Sequence, residues 1–254
     1  AYETAVKQIN ALNAFGVTNA DTVSDLLVEL MGASSQAEQQ KILAPVLQNS
    51  TKGKEIIADI EAAAGTAQQH PTSQDKYVQD IVKCSTKAVT EAFGEAKAEA
   101  KADPNVELGT RVITALSANA SFAAMLNDQT KATITVLATA LQNMGITDTA
   151  TIEAAVGAAL AGYPDETEMA SALAPYLAQS PKGQKVSQAA VTQYAADTIS
   201  ATYMNGATLS GSDSAYVGHL SDLSKLQEDA KALGQTAVGK STTALAEDVN
   251  NLTS

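Results

Sequence analysis

Few side chains in this sequence could do chemistry. Histidine is the scarcest, with two in 254 residues, His70 and His219. His219 precedes Asp222 by three on a stretch that reads as helix, and residues three apart share a helix face. That spacing sets a carboxylate beside an imidazole, as in a general base or part of a metal site. A surface contact between the two is the plainer reading. His70 precedes Pro71, which disfavours the helical region for the residue before it and sets His70 in a loop. No His/Cys spacing suits zinc, and the Glu plus Glu-x-x-His pattern of helical di-iron proteins is missing.

Nucleophilic and anion-binding chemistry has no stronger support. There is no Gly-x-Ser-x-Gly elbow and no glycine-rich phosphate loop. The one cysteine, Cys84, excludes an internal disulfide and reads as a small buried helix residue. Lys52-Gly53 and Lys182-Gly183 fall at helix starts, where backbone N–H groups attract anions; as helix-start signals they need no ligand. Asp165, Glu166 and Glu168 occupy an opening turn, where acids complement the helix dipole. Neither they nor Glu247-Asp248 offer the alternating loop oxygens and glycine of a calcium site. Asn49, Asn119 and Asn251 each open an Asn-x-Ser/Thr sequon, as chance supplies in a chain rich in Ser and Thr. The sequence assigns no catalytic, cofactor-binding or metal-binding residue, and a non-enzymatic protein is expected.

The elements that would position any site are repeated. Leu43-Ala44-Pro45-Val46-Leu47-Gln48-Asn49-Ser50-Thr51-Lys52-Gly53 returns as Leu173-Ala174-Pro175-Tyr176-Leu177-Ala178-Gln179-Ser180-Pro181-Lys182-Gly183. Upstream, Phe15-Gly16-Val17-Thr18 corresponds to Met144-Gly145-Ile146-Thr147. Between these anchors Val23, Leu26, Leu27, Leu30 and Met31 fall on Ile152, Ala155, Val156, Ala159 and Leu160. Each set is the i, i+3, i+4, i+7, i+8 stripe of an amphipathic helix. Further on, Ser73-Gln74-Asp75-Lys76-Tyr77-Val78 resembles Ser212-Asp213-Ser214-Ala215-Tyr216-Val217, with an insertion expected at the Asn205–Gly211 loop. Asp80 stands where the second copy has His219, so the copies share no ligand there. The expected architecture is all-α: a tandem duplication of a unit of about 125 residues, with repeat units at 1–127 and 128–254 forming two packed multi-helix bundles.

Composition agrees with helix. Alanine, the best helix former, supplies 49 residues, there is no tryptophan, and only six residues are proline. Helices are expected near 2–15, 19–32, 36–49, 52–68, 73–102 and 105–118, then near 121–144, 148–162, 165–179, 182–204, 213–232 and 235–252. Gly16 and Gly145 read as left-handed stops, with Val17 and Ile146 folding back on the last turn. Thr18 and Thr147 are expected to cap the next helices, and Ser50 and Ser180 the ones after the string. Pro45 and Pro175 should kink or break their helices. The stretch Glu91 to Asp103 lacks a wide apolar face after Phe93 and is expected to stand in solvent or bridge bundles. Tyr163, Tyr176, Tyr194, Tyr203 and Tyr216 all fall in the second copy. Tyr176, in place of Val46, reads as core, and the group could otherwise line a pocket or subunit contact.

Charged residues make up 17% of the chain, against about 25% for an average soluble protein. Ser, Thr, Gln and Asn replace them, a balance common in exported proteins. The net charge of −12 is spread along the chain and argues against nucleic acid and anionic membranes. No apolar run approaches the roughly 20 residues of a membrane helix. The Ala1 start is consistent with a removed signal peptide. The expected function is that of an exported structural or interaction protein, secreted, at the cell surface or periplasmic, self-associating or binding other surface proteins in a filament or lattice. A helical carrier holding an apolar small molecule between bundles is the alternative.

Overall fold

The computed structural model describes residues 2–208. Among them are eleven helices and no strand: α1 (Tyr2–Ala14), α2 (Ala20–Gly32), α3 (Gln36–Asn49), α4 (Thr51–Gln69), α5 (Lys76–Ala102), α6 (Val106–Ser117), α7 (Ala120–Ala123), α8 (Asp128–Asn143), α9 (Thr149–Ala161), α10 (Glu166–Gln179) and α11 (Pro181–Thr208). His219, Asp222, Tyr216, Glu247, Asp248, Asn251 and the helices expected at 213–232 and 235–252 lie outside the described residues.

The expected stops form through the same bonds in both places. Gly16 and Gly145 have φ of 85° and 90°, a region that suits glycine because it has no Cβ. Val17 N–H donates to the Leu12 carbonyl at 2.9 Å and Gly16 N–H to Asn13 at 2.9 Å. Ile146 N–H donates to Leu141 at 3.1 Å and Gly145 N–H to Gln142 at 2.8 Å. These crossed bonds satisfy carbonyls that a helix end leaves unpaired, and Val17 and Ile146 are buried beside them. The next helix is capped one residue later than expected. Asn19 accepts from Thr22 N–H at 3.0 Å, and Asp148 from Thr151 N–H at 2.9 Å. Their side chains reach the third amide of the helix, whereas Thr18 and Thr147 are one residue too early.

The repeated string also keeps one geometry. Ser50 Oγ accepts from Gly53 N–H at 3.0 Å, and Ser180 Oγ from Gly183 N–H at 3.0 Å. Lys52 N–H donates to the Phe15 carbonyl at 3.2 Å, and Lys182 N–H to Met144 at 3.0 Å. The opening amides of α4 and α11 thus bond within the protein, which leaves the helix-start reading of Lys-Gly and removes the anion-site one. Neither Pro45 nor Pro175 breaks its helix; α3 and α10 run on to Asn49 and Gln179.

Packing divides the chain into two compact units. One takes residues 2–63 and 193–208, the other Ala64–Thr192. The sequence boundary at 127/128 therefore falls inside the second unit, and α4 and α11 each begin in one unit and end in the other. The first unit closes a core from Ile9, Leu12 and Phe15 of the α1 region, Val23, Leu26, Leu27 and Leu30 of α2, Leu43 and Leu47 of α3, and Ile199 and Tyr203 of α11. The second builds its core from α5, α6, α8, α9 and α10. Each fully buried Leu or Ile contributes about 1.5–3 kcal/mol. The matched stripes of α2 and α9 differ at one position, since Met31 is exposed where Leu160 is buried.

Several expectations need correction. The stretch from Glu91 to Asp103 does not stand in solvent. Ala92, Ala96 and Ala100 of α5 form a buried row in the second unit's core, and α5 packs on α8. Alanine at every fourth position makes a narrow flat stripe that lets a neighbouring helix approach closely, while the charged residues occupy the remaining faces. The helix expected over 121–144 is split: α7 is a single turn, and Asn127 caps α8 by accepting from Thr130 N–H at 2.9 Å. Residues 205–208, assigned to an inserted loop, continue α11. Cys84 is half-buried, its thiol donating to the Ile81 carbonyl at 3.3 Å.

Candidate functional site

A pocket of about 430 Å³ opens in the second unit where α5, α8 and α10 meet. Each helix contributes one face. On α5 it is Phe93, Lys97 and Lys101, a row at i, i+4, i+8 that runs one residue ahead of the buried alanines. On α8 it is Gln129, Ala132, Thr133, Val136 and Leu137, and on α10 Glu166, Met169, Ala170 and Leu173. Tyr163 and Pro164, in the turn between α9 and α10, complete the wall. These spacings follow from the helical period, which stacks residues three and four apart on one side.

The pocket is apolar at depth and polar at its mouth. Leu137, Met169 and Leu173 are buried, and Phe93, Val136 and Tyr163 pack partly buried against the same core. Lys97 and Glu166 stand at the mouth with their charged atoms 3.9 Å apart. Glu166 is 89% exposed, so water screens this pair and it adds little stability. Among the described residues no carboxylate pairs with Lys101. Among the described residues, no group of three or more His, Cys, Asp or Glu could hold a metal ion.

The residues singled out in the sequence do not converge on this pocket. His70 lies just past α4, exposed, and Cys84 lies on α5 away from the lining. The tyrosines are dispersed. Tyr163 lines the pocket, Tyr176 packs on the second unit's core, and Tyr203 sits in the first unit's core, its ring 6.0 Å from Phe15 at an edge-to-face 68°. Among the described residues the buried Tyr203 hydroxyl has no hydrogen-bond partner, and burial pushes its ionisation up to about 12. Two exposed carboxylates at helix starts show the opposite shift. Hydrogen bonds from Thr151, side chain and backbone, hold the Asp148 carboxyl below its ordinary range, and those from Ser34 do the same for Glu38.

A second, shallower groove of about 550 Å³ belongs to the first unit. Gly16, Val17, Pro45, Val46 and Ser50 line it, all within the two repeated strings. No protein family, curated protein or solved structure matches the chain. Among the described residues no helix is long and apolar enough to cross a membrane.

Proposed function

We propose that this chain is a non-enzymatic binding protein that carries an apolar small molecule in the pocket of its second unit. One observation supports this above the rest: a pocket of about 430 Å³ with a buried apolar floor, within the roughly 300–1,000 Å³ of small-molecule sites. A neutral solvatochromic dye such as Nile red tests it. The dye should bind with a blue-shifted emission, and Ala170→Phe, which fills the pocket from an exposed wall position, should abolish binding while leaving the melting temperature unchanged. No binding, or binding indifferent to Ala170→Phe, would count against the carrier reading.

A second reading, a subunit of an exported filament or lattice, draws on α2. Val28 and Met31, one turn apart, are 53% and 38% exposed, and the same unit carries the Val17–Pro45–Val46 groove. An apolar ridge and a groove of mixed apolar and polar lining at different places on one chain are the elements of a head-to-tail contact with a second copy. The low charge content supports export. Light scattering and electron microscopy would test it; a strict monomer at high concentration under all salt conditions would sink it. The paired stop-and-start bonds at Gly16/Ser50 and Gly145/Ser180 support descent of 1–127 and 128–254 from one duplicated helical unit. A chimera carrying 173–183 in place of 43–53 should then fold with near wild-type stability, and failure of it to fold would speak against equivalence.

A further inference from the structure

Charge at the mouth of the pocket narrows what it would hold. From charge complementarity we infer that the occupant is an amphiphile with an apolar body and one acidic head group, the head seated on Lys101 and Lys97 of α5; this rests on the carrier reading above.

Within a chain of net charge −12, α5 places two ammonium groups one turn apart along one side of an apolar pocket. Phe93 continues their row, so the same helix face passes from cation to aromatic ring over two turns. Lys97 is half satisfied by Glu166 at 3.9 Å, a distance beyond hydrogen bonding. The Lys101 ammonium makes no ion pair or hydrogen bond among the described residues. A carboxylate entering here would meet one cation without a partner among the described residues and a second whose partner is loosely held and well solvated. It would keep its charge at the solvated mouth, while its apolar body covers Leu137, Met169 and Leu173. A neutral ligand would gain only the apolar contact, and a cationic one would oppose both lysines. Hydrogen bonds to charged groups are about twice as strong as neutral ones, so head-group charge should govern selection among ligands of equal length.

Calorimetric titration of the full chain with decanoate, 1-decanol and decyltrimethylammonium, below their micelle concentrations, tests this. The expected order is decanoate tightest, decanol about tenfold weaker, and the ammonium compound weakest. Lys101→Gln should weaken decanoate about tenfold and leave decanol unchanged. Lys101 is exposed, so the variant should fold, and a matching circular dichroism spectrum checks that it does. If decanol binds as tightly as decanoate and Lys101→Gln alters neither, the head-group assignment is overturned while the carrier reading stands. If no amphiphile binds, both are overturned.

Discussion

Gly53→Ala and Gly65→Ala, on the same helix α4, should move stability in opposite directions. In a helix interior alanine is favoured over glycine by about 0.5–1 kcal/mol, because glycine loses more backbone freedom on folding. A methyl group on Gly65 meets nothing within 4 Å, so that gain should appear nearly whole. A methyl group on Gly53 would overlap the Leu47 carbonyl oxygen and lie 2.9 Å from its carbon and 3.1 Å from Gln48 Cα. These are backbone atoms of α3, which cannot rotate aside. The start of α4 must retreat instead, although Ser50 Oγ holds Gly53 N–H at 3.0 Å and the Phe15 carbonyl holds Lys52 N–H at 3.2 Å. Loss of the serine cap costs about 1 kcal/mol, and overpacking typically adds about 1–3 kcal/mol. Against the intrinsic gain, Gly53→Ala should lose about 2–3 kcal/mol net, lowering the urea midpoint by about 1 M. Gly183→Ala, whose methyl would overlap the Leu177 carbonyl oxygen and sit 2.7 Å from Ser180 Oγ, should behave likewise. Urea titrations followed by far-ultraviolet circular dichroism measure all three. A Gly53→Ala protein as stable as wild type would refute the close approach and the shared role assigned to the Lys-Gly string.

Tyr203→Phe should cost nothing at neutral pH, because it removes a buried hydroxyl that has no partner among the described residues. The Tyr203 pKa is raised from 10.0 to about 12, so its share of stability is intact below pH 10 and fades as pH climbs toward 12. Wild type should lose about 2–3 kcal/mol over that interval and Tyr203→Phe should not, as urea titrations at the two ends would show. Asp148 has a lowered pKa, so its cap is fully effective above 3.8, its ordinary value, and is lost as pH falls below it; Asp148→Asn should flatten that acid limb in a thermal-melt series. Ala96→Leu, at a fully buried position on the alanine row, should destabilise by about 1–3 kcal/mol or more, and wild-type stability would mean that α5 and α8 are not in close contact.

Local features of this fold were readable because their causes are local. Gly16, Gly145, Ser50 and Ser180 act within one helical turn, and all four do what their spacing indicates. The caps at Asn19 and Asp148 were misplaced by one residue because Thr and Asn or Asp are both good caps, and only the backbone decides which is in reach. The α5 row was missed for a different reason. Alanine is too small to mark an apolar face by hydrophobicity, so the charges of 91–103 dominated the pattern while Ala92, Ala96 and Ala100 did the packing. The pocket was beyond reach in the same way. Phe93, Leu137 and Leu173 sit on three helices far apart in sequence, and Lys97 and Lys101 read as ordinary solvated charges. A lysine row beside a buried alanine row was the one available signal.

The division of the chain into a discontinuous and a continuous unit has a consequence for synthesis. Helices α1 to α3 leave the ribosome well before α11 and cannot complete their core until it follows, since Phe15 waits for Tyr203 and Leu12 for the α11 segment that carries Ile199. At roughly 5–20 residues per second that wait lasts on the order of ten seconds. Meanwhile residues 64–192 emerge in one run and hold all the helices of their own core. The later segment should therefore reach its native packing first, and the amino-terminal helices should be the ones that need chaperones. Arrested nascent chains released at about residue 195 should show protease resistance over 64–192 and cleavage within α1–α3.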